Sequence, residues 1–487
     1  MRRSLQTEGN RPNVLFFLSD QHAFDCAGYA SGIVDTPNLD ALAREGCVFD
    51  NAYCQNPLCV PSRSSLLTGR YSKNLGIYEN RHILDPAIPT LPGIFAENGY
   101  RTCLIGKAHF NGDQYHGYQS RPYGDFLGQG HQPEHIRVPG EADESGLGDI
   151  LENSGATAIP LPMTQTEICV AETVKYLQLQ SGEENGAPFF LSVNFDKPHF
   201  PYRAPEALFE KYRGRAAVKE GPPRYAQTLA VEFVRKAFEV NGAWEHYSKD
   251  AGLHRQAFAA YLACVEWIDD AIGRILRSLR SLGLEGNTIV VYASDHGEMA
   301  GDKGAWQKTV FFDRSAKVPL IIKYPSRFLS GAAVKECVGL IDLFPTLCEA
   351  AGIPAPAFCD GVSLLDTLET GRSPARDMVF AESAVLKVPE HAGCMVRKGR
   401  YKYNYYLQGR HELYDMESDP GELRNLVGEP EWKETEKELR ETAAEFWKPD
   451  EQIARCRNCP MSEKEKHFYL YSNQFSLPDG TLRDAKP

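Results

Sequence analysis

The sequence predicts an α/β fold: a large, mostly parallel sheet sandwiched by helices, with a smaller C-terminal α+β domain. Three observations predict it. Short, near-continuous apolar runs read as strands covered on both faces. Helical patterns lie between those runs, the order that builds parallel sheets. After about residue 375 the texture changes, which divides the chain into residues 1–375 and 376–487.

The first strand run is "NVLFFLSD" at 13–20. "TPNLDALAREG" then opens a helix at Thr36-Pro37, where a cap and a first-turn proline belong, and closes it on Gly46. "TLPGIFAENGY" repeats that pattern and ends at Gly99. "PFFLSVNFD" (188–196) is the second strand run. The strongest helix runs from about Ala257 to Leu282 and feeds the strand "NTIVVYASD" (287–295). "KVPLIIKYP" (317–325) is the fourth strand run, and "LIDLFPTLCEAAG" (340–352) a further helix. Beyond residue 375, "MVRKGRYKYNYYLQGRHELYDMESDPGELRNL" alternates basic and aromatic residues and turns at Asp419-Pro420-Gly421. That predicts a small antiparallel sheet with a solvated face, backed by the helix "WKETEKELRETAAEFW". The tail "SNQFSLPDGTLRDAKP" carries no period and is expected to wrap the body or a neighbouring subunit, a route to a homo-oligomer.

An apolar fraction of 42% and a charged fraction of 24% are those of an ordinary globular chain. The net charge of −12 argues against nucleic acid or an anionic membrane as the main partner. The thirteen cysteines are odd in number and scattered, unlike a disulfide framework. "CRNC" at Cys456 and Cys459 lacks a second such pair and reads as two thiols rather than a zinc clip. The opening "MRRSLQTEGNRPNVLFFLSDQH" has too short an apolar run for an export signal, and no run reaches membrane length. The expected location is cytoplasmic, or periplasmic or secreted if an export signal was removed.

Three strand runs end in polar residues: Ser19-Asp20, Asn194-Phe195-Asp196 and Ser294-Asp295. Ligands of open α/β sheets sit at the carboxyl ends of strands. Cys59, in "NPLCVPSRSSLLTGR", reads as a buried core thiol or as a nucleophile that needs a partner histidine. The wider pattern supplies a third reading. Cys59-Val60-Pro61-Ser62-Arg63 followed by "SSLLTGR" resembles the signature of the type I sulfatases of the alkaline phosphatase superfamily. In that family the cysteine is oxidised after synthesis to formylglycine.

The resemblance covers nearly the whole chain, in the family's order. "LFFLSDQH" looks like the first metal strand, with Asp20 and the adjacent Gln21. "GYRTCLIGKAHF" resembles the segment that brings Lys107 and His109 beside the formylglycine. "NFDKPHFPY" resembles the segment whose His199 faces the sulfate, with Lys197 nearby. "YASDHGEMAGDKGAWQK" looks like the second metal strand, Asp295 and His296, followed by a sulfate-binding Lys308. Even "ELYDMESDPGELRNL" is similar to the family's C-terminal strand and turn.

The resemblance implies an alkaline-phosphatase-like fold in which residues 1–375 form the catalytic domain. The activity it implies is hydrolysis of a sulfate monoester of a sugar, a choline-like alcohol or an aryl alcohol. In the implied reaction one hydroxyl of the aldehyde hydrate attacks sulfur, and the other later expels sulfate. By the same resemblance Cys59, Arg63, Lys107, His109, His199 and Lys308 carry the chemistry. Lys107 would hold the diol, His109 would promote its collapse, and His199 and Lys308 would bind sulfate oxygens and protonate the leaving oxygen. Asn80 and Lys197 are implied as substrate contacts. A divalent metal is implied among Asp20, Gln21, residue 59, Asp295 and His296, with Ca2+ expected and Mn2+ or Mg2+ as alternatives. A formylglycine-generating or radical maturation enzyme is the implied partner. The pairs Asp20-Gln21 and Asp295-His296 depart from the double aspartate and Asp-Asn of many sulfatases. They resemble the choline-sulfatase and phosphonate-monoester-hydrolase branch, which leaves phosphonate or phosphodiester hydrolysis as an alternative. An inactive anion-binding relative, with Cys59 an unmodified thiol, is the other.

Overall fold

The computed structural model describes residues 11–80, 82–111, 114–124, 150–182, 186–215, 251–383, 392–407, 409–458, 474–476 and 482–484. Eight strands form the main sheet: β1 (Asn13–Asp20), β2 (Cys47–Tyr53), β3 (Arg101–Gly106), β4 (Ser120–Gly124), β6 (Phe189–Pro198), β8 (Thr288–Ser294), β9 (Leu320–Lys323) and β10 (Ala332–Gly339). Two-residue strands β5 (Gly155–Ala156) and β7 (Arg203–Ala204) pair separately. The order is β10-β2-β9-β8-β1-β6-β3-β4. Every neighbouring pair is parallel except the two made by β9. The mostly parallel α/β sheet expected from the sequence is therefore present.

Strand β1 lies between β6 and β8 and is buried along almost its whole length. Alternate side chains leave a strand on opposite faces, so one strand feeds two cores. Val14, Phe16 and Leu18 meet Leu66, Phe95, Phe344 and Leu347, from the helices Cys59–Thr68, Leu91–Glu97 and Leu343–Ala350. Leu15 and Phe17 meet Leu39, Cys169, Ile268 and Ile272, from Pro37–Glu45, Gln165–Ser181 and Ala251–Ser281. A strand covered on both sides has no use for polar residues until its end. That is why the run stays apolar up to Ser19 and Asp20.

Four strands were not legible as runs: β2, β3, β4 and β10. "CVFDNAY" is strand β2, its apolar pattern broken by the exposed Asp50 and the half-buried Asn51. Within the described residues the long helix spans Ala251–Ser281, reaching further toward the N-terminus than its apolar stripe.

Past Met378 a four-stranded antiparallel sheet runs β11 (Met378–Ser383), β12 (Gly393–Lys398), β13 (Tyr401–Tyr406) and β14 (Glu412–Asp415). Helix Lys433–Trp447 packs Leu439, Ala443 and Trp447 on one face, against Phe380, Val396, Tyr403 and Leu413. The other face, with Val379, Ala381 and Met395, covers Tyr53, Phe311 and Cys337 of the main body. The solvated face expected for this sheet is thus a correction. Lys402 is fully buried and Arg397 nearly so, because their charges meet Asp313, Glu422 and the Tyr53 hydroxyl. The turn at Asp419-Pro420-Gly421 is present, closed by Glu422 N–H donating to Asp419 O. In the tail, β15 (Gln474–Ser476) pairs with β16 (Leu482–Asp484), and the rest of that stretch lies outside the described residues, as does Cys459. Among the described residues no helix is long and apolar enough to cross a membrane.

Candidate active site

Four adjacent strands deliver their polar ends to one place. Asp20 ends β1, Asp295 follows β8, Lys107 follows β3, and His199 follows β6. Helix Cys59–Thr68, which starts with Cys59 and ends on the left-handed Gly69, places Cys59 and Arg63 one turn apart beneath these ends. The close approach of β3 to β6 needs Gly106. At φ +99° a Cβ there would lie 2.0 Å from the Asn194 carbonyl. Lys107 N–H donates to that same carbonyl.

Asp20, Cys59, Asp295 and His296 are all buried, and one donor atom from each lies within 4.8 Å of the others. Arg63 sets the facing of both carboxylates. Its Nη2 donates to Asp20 Oδ2 at 3.0 Å and its Nε to Asp295 Oδ2 at 2.8 Å, which leaves Oδ1 of each turned toward the cluster. Lys107 Nζ adds a 2.8 Å ion pair to Asp20 Oδ2. Cys59 Sγ stands 3.1 Å from His296 Nε2 and 3.8 Å from Asp20 Oδ1. His296 Nε2 is 3.7 Å from Asp20 Oδ1 and 3.6 Å from Asp295 Oδ1. The two His296–carboxylate separations are too long for hydrogen bonds, whereas the two Cys59 contacts are within reach of its sulfur. These separations are close to the ~3–3.7 Å between neighbouring ligands of an ion with bonds of ~2.0–2.5 Å. His296 Nδ1 donates to Gly297 O at 3.0 Å, the arrangement that orients a metal-binding imidazole. The residues present therefore fit a divalent cation.

Above the cluster, His199 Nε2 lies 2.9 Å from Lys308 Nζ and 3.9 Å from Asp20 Oδ1, while its Nδ1 meets Phe200 O at 2.6 Å. Gln21 adjoins the four-atom cluster through its backbone N–H, which donates to Asp295 Oδ1 at 3.1 Å. Its carbonyl oxygen accepts from Lys308 Nζ, and its amide nitrogen donates to Glu298 and to the Tyr202 hydroxyl. Asn80 sits at the rim, where its Oδ1 accepts from Val60 N–H at 3.0 Å and so braces the first turn of the Cys59 helix. Lys197 Nζ turns to Pro201 O at 3.2 Å and to Asp196 at 3.7 Å. His109 is held at φ +59°. Gln21, Gln307 and Thr309 also have positive φ, at 72°, 68° and 81°. Left-handed backbone at non-glycine residues, a β-branched one included, concentrates where a site fixes its geometry.

Burial raises a carboxyl pKa, yet Asp20 is held well below its usual range, because Lys107, His199, Arg63 and His296 surround it. Burial and Asp20 oppose ionisation of Cys59, but Lys308 and His296 more than offset them and its thiol lies below the ordinary value. Burial together with Lys107 and Arg63 holds His109 well below the usual histidine range; burial with Lys308 and Lys107 does the same to His199. Burial works against the charged form of His296, and Asp295 and Cys59 raise it overall.

Sequence reasoning missed Glu298. It is fully buried, and its carboxylate accepts from Gln21, from Ala300 N–H at 2.8 Å and from Gln307 N–H. The available signal was its place two residues past His296, in "SDHGEMAG".

Comparison with known proteins matches residues 12–353 to the family described as Sulfatase. Residues 301–448 match the C-terminal family of N-sulphoglucosamine sulphohydrolase. The chain is 31% identical to a choline-sulfatase of Rhizobium meliloti over 445 residues, 86% of this chain and 83% of that one. It is 28% identical to an N-acetylglucosamine-6-O-sulfatase of Bacteroides thetaiotaomicron, over 91% of this chain and 87% of that one. A phosphonate monoester hydrolase of Agrobacterium radiobacter shares the fold, with a TM-score of 0.74, 24% identity and coverage of 98% and 100%.

Proposed function

The chain belongs to the sulfatase family and is a sulfuric ester hydrolase, and from that premise we propose that it cleaves a sulfate monoester through a formylglycine made from Cys59. The alcohol is a sugar, a choline-like alcohol or an aryl alcohol. One observation carries the reading: Cys59 converges with Asp20, Asp295 and His296 at a buried point ringed by Arg63, Lys107, His199 and Lys308. A divalent cation would be held by Asp20, Asp295, His296, residue 59 and Gln21, with Ca2+ expected and Mn2+ or Mg2+ as alternatives. When bound it offsets the charge of the sulfate ester and polarises its oxygens.

The chain's own residues do the rest. Lys107, buried against Asp20, places a fixed cation beside residue 59. His109, neutral at ordinary pH because of its burial and cationic neighbours, takes a proton from the residue-59 hydroxyl that expels sulfate. Lys308 and His199 receive the sulfate oxygens. Burial first, then Lys308 and Lys107, hold His199 low; an arriving anion would oppose the part due to the two lysines, and His199 is proposed to protonate the leaving oxygen. A second reading, phosphonate monoester or phosphodiester hydrolysis, is supported by the Asp20-Gln21 and Asp295-His296 pairs.

Comparing kcat/KM for 4-nitrophenyl sulfate, bis(4-nitrophenyl) phosphate and 4-nitrophenyl phenylphosphonate separates them, because all three release 4-nitrophenol. The sulfate should be preferred, and Cys59→Ala should lower its turnover by at least ~10³-fold. A preference for the phosphonate selects the second reading. Undiminished turnover in Cys59→Ala removes the formylglycine account.

A further inference from the structure

Three of the left-handed non-glycine residues at the site share one partner. Gln21 (φ 72°), Ala300 (φ 46°) and Gln307 (φ 68°) all donate to the buried carboxylate of Glu298. The two oxygens divide the work. Oε1 takes the backbone N–H groups of Ala300 and Gln307, and so fastens the loop that ends in Lys308. Oε2 takes the side-chain nitrogen of Gln21, which the Tyr202 hydroxyl also meets at 3.3 Å. Tyr202 hydrogen bonds to Glu298 as well.

A primary amide has two nearly isosteric ends, one donating and one accepting. Packing alone distinguishes them poorly, so a fully buried Gln21 needs a chemical reason to point one way. Here Glu298 Oε2 acts as acceptor, which selects the Gln21 nitrogen and sends the carbonyl oxygen in the opposite direction. There the oxygen accepts from Lys308 Nζ, on the side of the site that holds His199 and Asp20. With the amide flipped, the Gln21 nitrogen would face the Lys308 ammonium, donor against donor.

We infer that Glu298 is a positioning residue that fixes the orientation of the Gln21 amide, presenting its carbonyl oxygen to the cation site and to Lys308. This rests on the proposed cation site and adds a residue two positions past His296 whose part is to set a ligand's facing rather than to touch the ion.

The substitution Glu298→Gln isolates this role. It keeps an oxygen for the Ala300 and Gln307 N–H groups but places an NH2 where Gln21 needs an acceptor. Titration of the purified full chain with Ca2+, and separately with Mn2+, should show affinity at least ~10-fold weaker in Glu298→Gln. In the Gln21→Ala background, where no amide remains to be oriented, the same substitution should change affinity less than ~2-fold. A brace for the loop alone would weaken binding equally in both backgrounds, and that result, or unchanged affinity in Glu298→Gln, overturns the inference. If Glu298→Gln does not fold, Tyr202→Phe is the second probe. It should weaken binding several-fold in the Gln21 protein and not in Gln21→Ala, and an equal effect in both overturns the inference. A wild-type chain that binds neither ion overturns the cation site itself, which is a distinguishable failure.

Discussion

Arg63 shows how much of this site is decided by single side chains. A guanidinium fork can hold two carboxylates at once in fixed geometry, and here it ties Asp20 to Asp295 across the β1–β8 junction. It also donates from Nη1 to Lys107 O, so three segments are fastened by one residue. His109 stands in the same cationic surroundings, which with burial hold it well below the usual histidine range, and the proposed reaction uses it as the base. His109→Ala should therefore complete the first half-reaction and stall, leaving a sulfated residue-59 peptide detectable by mass spectrometry. Steady turnover with no such adduct contradicts the assignment. The candidate residues were legible because each sits in a local run of distinctive order, such as "LCVPSR" or "SDHGE". Their partnerships were not. Arg63 meets Asp295 across 232 positions and Gln21 meets Glu298 across 277, and no local pattern carries such a pairing.

Among the elements, β1, β6, β8 and β9 announced themselves as near-continuous apolar runs, whereas β3, buried on both faces but carrying Arg101, Thr102 and Gly106, did not. Strands with a broken pattern, such as β2 with Asp50-Asn51, did not. The C-terminal sheet was recognised by its alternation, but its exposure was misjudged, since buried ion pairs and solvated charges look alike in sequence. Glu412 at the start of β14 illustrates the cost of such burial. It lies opposite Asn404 of β13, accepts from that side chain at 2.9 Å, and burial pushes its carboxyl up to about 7 from an ordinary 4.5. Between those two values the folded state holds a proton that the unfolded state has released. Stability therefore falls as pH rises through that window and stays low above it. Glu412→Gln removes the titration while keeping the shape. It should leave stability at pH 4.5 nearly unchanged and raise it at pH 8 by about 2–3 kcal/mol, measured by urea unfolding. Equal stability changes at the two pH values would show that Glu412 is not buried as a protonated acid.

At the scale of the whole molecule, the C-terminal sheet is wedged against the segment that carries Lys308. Lys402 of β13, with no exposed surface, pairs at 2.7 Å with both Asp313 and Glu422, and Glu422 accepts from Asp313 N–H. Asp313 follows Lys308 by five positions. Removing one partner of a buried ionic cluster strands the others, which costs about 3–5 kcal/mol. Lys402→Met should lose that much in chemical unfolding, and a midpoint equal to wild type would mean that the two parts are not coupled through this cluster. The central claim concerns residue 59, and the most direct measurement is the mass of the tryptic peptide Glu45–Arg63 after reduction and alkylation, from protein made in its native host. The account predicts that Cys47 and Cys54 alkylate while residue 59 carries an aldehyde. Full alkylation of all three, in protein that nonetheless hydrolyses sulfate esters, would contradict it.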